Sequence, residues 1–136
     1  MGSADVRAFQ PNDYLVQLED GPYLPVQWRL VWFHQATGPR AGYVTVEQVH
    51  DRRRGFASFV TIAWDGSDTA WRTVRVAGVE IAVCGRVATG EGSEERSQFA
   101  EYYEAAATKA LGRALVGLGF GSEGAPELKA QLATAS

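Results

Sequence analysis

The run Ala105–Gly121, AAATKALGRALVGLGFG, constrains this chain more than any other segment. Phe99, Tyr102, Tyr103, Ala106, Ala107, Ala110, Leu111, Ala114, Leu115 and Leu118 recur at steps of three and four residues, which predicts one amphipathic helix with its apolar stripe on the core. Ser93 is the expected N-cap, with Glu94 and Glu95 favoured at the positive end of the helix dipole. Gly117, Gly119 and Gly121 supply residues that can take the left-handed conformation ending a helix. The G-x-G-x-G string there follows a helix instead of opening one, so it is no dinucleotide loop. Lys109 and Arg113 are four apart and share a face, a like-charge pair that costs a few tenths of a kcal/mol. Ala105, one turn earlier, carries no charge to relieve them. That predicts either an anionic partner from outside or a carboxylate from elsewhere in the chain.

What this helix packs against follows from the rest of the chain. At 136 residues, 46% hydrophobic and with four Trp, five Tyr and six Phe, the sequence predicts one globular domain with a sizeable core. Val26, Trp28, Leu30 and Trp32 alternate like a strand, but the segment also fits a helix. Pro25 in a first turn and Gly38-Pro39 as a stop favour a helix over 24–36. Residues 41–50 and 56–64 read as paired strands around the tip Asp51-Arg52-Arg53-Arg54-Gly55, with Phe56, Val60, Ile62 and Trp64 on one face of the second. Asp65–Asp68 reads as a loop, and 71–76 and 79–89 read as strands, with Gly78 a turn or a bulge. The expected fold is α+β: a helix, an antiparallel three- to four-stranded sheet with a β-hairpin, and a long C-terminal helix packed on the sheet. One sheet face and the hairpin are expected to stay open to a partner. Residues 1–22 are expected to be an arm ordered only where Tyr14-Leu15-Val16 and Leu18 dock, 23–121 the core domain, and 122–136 a small polar tail in which Leu128 and Leu132 allow a short helix.

Charge and chemistry narrow the function. The formal net charge is −3, which argues against adhesion of the whole surface to nucleic acid. Its distribution is uneven: residues 23–86 hold eight Arg and five acids, while 87–104 hold one Arg and five acids. The single cysteine, Cys84, forms no internal disulfide and fits a reducing compartment. No apolar run approaches the ~18–20 residues of a membrane span, and the first residues lack a secretory signal, so a cytoplasmic location is expected. His34 and His50 lack zinc-site spacing, no phosphate loop is present, and Ser58, Ser93 and Ser97 lack a nucleophile-elbow context. Glu101 and Glu104, three apart, fit a solvated acidic face better than a catalytic pair. No enzyme activity, metal or cofactor is expected.

A binding surface has more support. Arg52, Arg53 and Arg54 stand together at a hairpin tip; Arg72 and Arg75 lie on a neighbouring strand, on opposite faces by their spacing; Lys109 and Arg113 add the helix pair. Guanidinium groups match phosphate geometry, and aromatic rings stack on bases. Trp64 and Trp71 flank the Asp65-Gly66 loop and Tyr43 lies near the basic hairpin, although most tryptophans in strands are core; at most one or two of the four are expected to face a ligand.

Three stretches together resemble the Rad fifty-two type single-strand DNA annealing superfamily, including its short phage and bacterial relatives. They are Tyr23–Phe33 (YLPVQWRLVWF), Ala88-Thr89-Gly90 ahead of an acidic stretch, and Tyr103–Leu115 (YEAAATKALGRAL) running on to Gly119-Phe120-Gly121. Prokaryotic members read like E-K-A-E-T-x-A-I-G-R-A-L followed by G-F-G or G-Y-G. Thr108, Gly112, Arg113, Ala114 and Leu115 keep that pattern; Ala105 and Ala107 depart from it. The resemblance covers roughly residues 14–121. It implies an α-β-β-β-α core, homo-oligomeric rings or filaments, and a basic groove that holds single-stranded DNA and anneals complementary strands without ATP. Arg113 matches one basic residue that touches DNA phosphates in eukaryotic relatives, whereas Gly112 and Val116 fall where those relatives carry Lys or Arg. Lys109 compensates, and Arg29 joins Arg72, Arg75 and Arg113 as a second candidate lining of the groove. A recombinase or an exonuclease is the partner expected of such a protein. The competing readings are an oligomeric structural module that binds a protein partner and, more remotely, a small-ligand enzyme of α+β fold.

Overall fold

Strand β4 (Phe56–Trp64) organises the fold, because its two faces are apolar for different reasons. Ala57, Phe59, Thr61 and Ala63 point one way and Val60, Ile62 and Trp64 the other, and all seven are buried. A strand with both faces covered must lie in the centre of its sheet. It pairs antiparallel with β3 (Gly42–Asp51) on one side and with β7 (Val87–Glu95) on the other, giving the order β3-β4-β7. The computed structural model describes residues 9–19 and 21–121; the expected tail 122–136 and the first eight residues lie outside that range.

The long helix, α2 (Tyr102–Gly117), covers the odd-numbered face of β4 through Ala106, Ala110, Ala114, Leu115 and Leu118. Its seat is a strip of minimal side chains. A Cβ on Gly90 would come within 2.3 Å of the Ala114 nitrogen, and one on Gly92 within 2.5 Å of the Ala106 carbonyl oxygen. The helix backbone therefore rests almost directly on the β7 backbone, and only glycine permits that approach. On the outer side of α2 lies α1 (Val26–Ala36), which inserts the fully buried Phe33 against Leu115 and Leu118. Thr37 ends α1, its hydroxyl donating to the Phe33 carbonyl at 2.6 Å. Before α1 come a short 3-10 turn, Pro11–Tyr14, and a small hairpin of β1 (Val16–Leu18) and β2 (Gly21–Tyr23). The segment docks by aromatic stacking: Tyr14 lies on Phe9 at 4.9 Å and on Trp28 at 4.3 Å.

The expectation of a helix, antiparallel strands and a C-terminal helix on the sheet is met, and three details differ. First, the second sheet face is not open. A separate hairpin, β5 (Trp71–Val76) and β6 (Val79–Cys84), turns through Ala77 and Gly78 with positive φ at both and folds over Val60, Ile62 and Trp64. Val76, Ile81 and Val83 complete that second core. Second, 79–89 is not one strand. The chain breaks at Gly85 (φ 81°), and the acidic stretch that follows is the edge strand β7. Third, Ser93 is no helix cap. It sits in β7 opposite Ser58, α2 begins nine residues later at Tyr102, and Phe99 is exposed in the intervening turn. Alternation is hidden in β7 because Gly90 and Gly92, two of its positions facing α2, carry no hydropathy signal.

Candidate nucleic-acid interface

The β3–β4 turn projects three arginines because its backbone polar groups are already paired. Asp51 Oδ1 accepts the Arg54 N–H at 3.0 Å, and the Gly55 N–H donates to the Asp51 carbonyl at 2.8 Å. Arg96, just beyond β7, donates its Nη1 to the Arg52 carbonyl (3.3 Å) and its Nη2 to that of Arg53 (3.1 Å), and its backbone N–H to Gly55 (2.7 Å). With those carbonyls satisfied, the side chains of Arg52, Arg53 and Arg54 are exposed. Among the described residues the ion pairs are Arg75–Glu80 and Lys109–Glu94, so no carboxylate reaches the tip guanidiniums within 4 Å. Arg54 lies over the Phe56 ring at 4.8 Å, which orients it without neutralising it.

An aromatic cluster stands at the base of the tip. His50 Nε2 is 3.0 Å from the Tyr102 hydroxyl, and the His50 and Tyr103 rings are 4.4 Å apart. The Tyr103 hydroxyl donates to Glu47 Oε1 at 2.6 Å; that hydrogen bond, with desolvation added, pushes the phenol above its ordinary pKa. Arg96 lies 5.9 Å from the Tyr102 ring centroid. Sequence reasoning missed Arg96, and only the pairing of β4 with β7, which sets Glu95 opposite Phe56, brings it to the tip.

The other expected site residues lie elsewhere. Arg29 is 1% exposed: its Nε donates to the Leu24 carbonyl at 2.8 Å and its Nη1 to that of Gly112 at 3.3 Å. Burial pushes its guanidinium below the ordinary value, and Tyr23 partly restores it. It is an internal tie between α1 and α2, out of reach of a strand. Lys109 and Arg113 share a face as expected, but that face lies along β7. Lys109 Nζ pairs with Glu94 and donates to the Ser93 carbonyl at 3.3 Å; Arg113 Nη1 donates to the Glu91 carbonyl at 2.8 Å, while its Nη2 is buried with no partner among the described residues. The like-charge pair is thus relieved by the chain's own acidic strand. Arg72 donates to the Gly85 carbonyl at 3.0 Å, and Arg75 pairs with Glu80 at 2.9 Å; both are exposed on the β5–β6 hairpin. Of the tryptophans, Trp64 is core, with Nε1 donating to the Arg40 carbonyl at 2.7 Å, Trp28 and Trp32 are half-buried, and Trp71 is exposed.

Among the described residues no cluster of His, Cys, Asp or Glu is arranged to hold a metal ion, and no helix is long and apolar enough to cross a membrane. No family model, curated protein or solved structure matches the chain.

Proposed function

We propose that this chain binds single-stranded DNA and anneals complementary strands without ATP, in recombination or repair, and that it catalyses no covalent step. The observation that carries this reading is the tip: three adjacent exposed arginines with no ion-paired carboxylate among the described residues, the one acid of the turn, Asp51, being bonded to the Arg54 backbone N–H. Such groups bind phosphate with little reorganisation. The half-buried rings of His50, Tyr102 and Tyr103 beneath them add surface of the type on which bases stack. The three stretches resembling the annealing superfamily support the same reading. With a net charge of −3, binding is local to the tip and not spread over the surface.

The working form in this proposal is a cytoplasmic homo-oligomer, a ring or filament, with a recombinase or an exonuclease as its partner. β3 and β7 are outer strands with no further strand beside them among the described residues, and such edges invite pairing with another chain. Annealing of two labelled complementary oligonucleotides, without nucleotide or metal, tests the activity. The salt dependence of single-strand binding tests the site: replacing the three tip arginines with Ala should lower the log–log slope by about 0.7 for each phosphate that is no longer neutralised. Salt-insensitive capture of a protein, with no annealing, would instead favour the structural module.

A further inference from the structure

At the end of the sheet opposite the arginine tip, the end of α1 and the α1–β3 connection, the β4–β5 loop, the β6–β7 turn and the segment that ends α2 line a cleft of about 320 Å³. Its more buried lining is apolar, with Leu118 and the half-buried Phe120; Pro39, Arg40, Arg86 and Ser67 are exposed around it. Arg40 Nε donates to the Gly66 carbonyl at 3.3 Å, which fixes the root of that guanidinium at the rim. Among the described residues neither arginine has a carboxylate within 4 Å. Asp65 is the acid in the wall, and its Oδ1 is committed to the backbone N–H groups of Ser67 (3.0 Å) and Arg86 (2.8 Å). Those bonds knit the Asp65-Gly66-Ser67 loop to the Gly85-Arg86 turn, so the rim is preorganised.

We infer that this cleft binds a nucleotide phosphomonoester, its base on the Phe120 ring and its phosphate between Arg40 and Arg86. The volume lies at the small end of ligand pockets and far exceeds a bare phosphate, and an aromatic ring together with two arginines in one lining suits a base joined to a phosphate. The site is separate from the tip: the nine residues of β4 between them span about 26 Å, so no single phosphate touches both. The inference stands whether or not the tip binds DNA. The ligand's source is a free mononucleotide or the phosphorylated end of a strand.

Titration calorimetry on the full chain with dTMP, deoxythymidine and inorganic phosphate tests the site. We expect dTMP to bind at least about tenfold more tightly than either fragment, and Arg40→Gln with Arg86→Gln to remove about tenfold or more. Ala36→Trp, which fills the cleft and leaves both charges, should block dTMP as well, and Arg40→Lys with Arg86→Lys should retain part of the binding with an unchanged circular dichroism spectrum. Reversal of the tip (Arg52, Arg53 and Arg54 to Glu) should leave dTMP binding intact, which separates failure of this site from failure of the tip. On that tip-reversed chain, a preference for a 5′-phosphorylated oligonucleotide over its 5′-hydroxyl form assigns the strand end as the source, and equal weak binding with dTMP retained assigns the free nucleotide. The inference is overturned if dTMP binds no more tightly than inorganic phosphate, or if the glutamine and tryptophan variants bind it like the parent. The arginines then serve only to offset the helix C-termini that end at the cleft.

Discussion

Gly90→Ala is a single methyl placed where the molecule has least room for it. The new Cβ would lie 2.3 Å from the Ala114 nitrogen and 2.5 Å from the Ala110 oxygen, and the first of these falls about 1.1 Å short of the 3.4 Å at which ordinary contact begins. Both obstacles are helix backbone, so no side chain can swing aside. Either α2 lifts off β7 by about that distance or β7 bends outward. A lift strains the packing of Ala106, Ala110 and Ala114 together, and with them the Lys109–Glu94 pair. Overpacking of this kind costs about 1–3 kcal/mol, and backbone-on-backbone contact places it at the upper end. The methyl also stiffens the unfolded chain, which returns about 0.4–1 kcal/mol. A net loss of about 2 kcal/mol lowers the melting temperature of a 136-residue chain by about 7 °C. Calorimetry at fixed protomer concentration measures it, because oligomerisation makes the midpoint concentration-dependent. Gly38→Ala is the control, since a Cβ there meets nothing within 4 Å. A Gly90→Ala midpoint within about 3 °C of the parent would refute the seating of α2 on β7.

Arg29→Met should destabilise the chain by about 3 kcal/mol in denaturant titration, because the carbonyls of Leu24 and Gly112 lose a buried charged donor. Lys109→Ala should cost about 1–2 kcal/mol, since Glu94, largely covered, loses its partner, while the salt slope of single-strand binding stays unchanged. For Asp65, burial raises the carboxyl pKa, but the hydrogen bonds from Ser67 and Arg86 outweigh it and hold the group below its ordinary 3.8. Its stabilisation is therefore present above that value and is lost as pH falls through the lower folded pKa. The stability gap between the parent and Asp65→Asn should hold from pH 7 to about 5 and close below about 4; a gap constant through acid would contradict this.

The body of α2 and the β3–β4 hairpin are legible from periodicity, with the Asp51–Gly55 turn separating two alternating strands, whereas α1, whose apolar spacing fits a strand as well, is settled by Pro25 and Gly38-Pro39 alone. β7 is not legible. Gly90 and Gly92 are buried without leaving a hydropathy trace, and Ser93, Glu94 and Glu95, just beyond them, resemble a helix start. Missing β7 hid two things at once: the partners of Lys109 and Arg113, and the approach of Arg96 to the tip. The tip arginines could be picked out because an exposed turn needs no tertiary knowledge. Arg29 could not be told from a groove residue, since its carbonyl partners lie 5 and 83 positions away. The cleft draws on four segments far apart in the chain, each ordinary when read alone.

The glycine–alanine seat has a consequence for uniqueness. Interdigitated side chains lock a helix at one position along a strand, whereas a smooth strip of Cα and Cβ atoms locks little. Ala106, Ala110 and Ala114 repeat every four residues, so displacing α2 by that repeat, about 6 Å, still sets an alanine over each glycine. Beside the contact of Phe33 with Leu115 and Leu118 and the Arg29 bond to the Gly112 carbonyl, what tells the two placements apart is the cationic pair, with Lys109 hooked to Glu94 and Arg113 to the Glu91 carbonyl, like two pegs in a rail. Removing both pegs would leave a chain that still collapses but samples neighbouring alignments, visible as doubled amide resonances along β7.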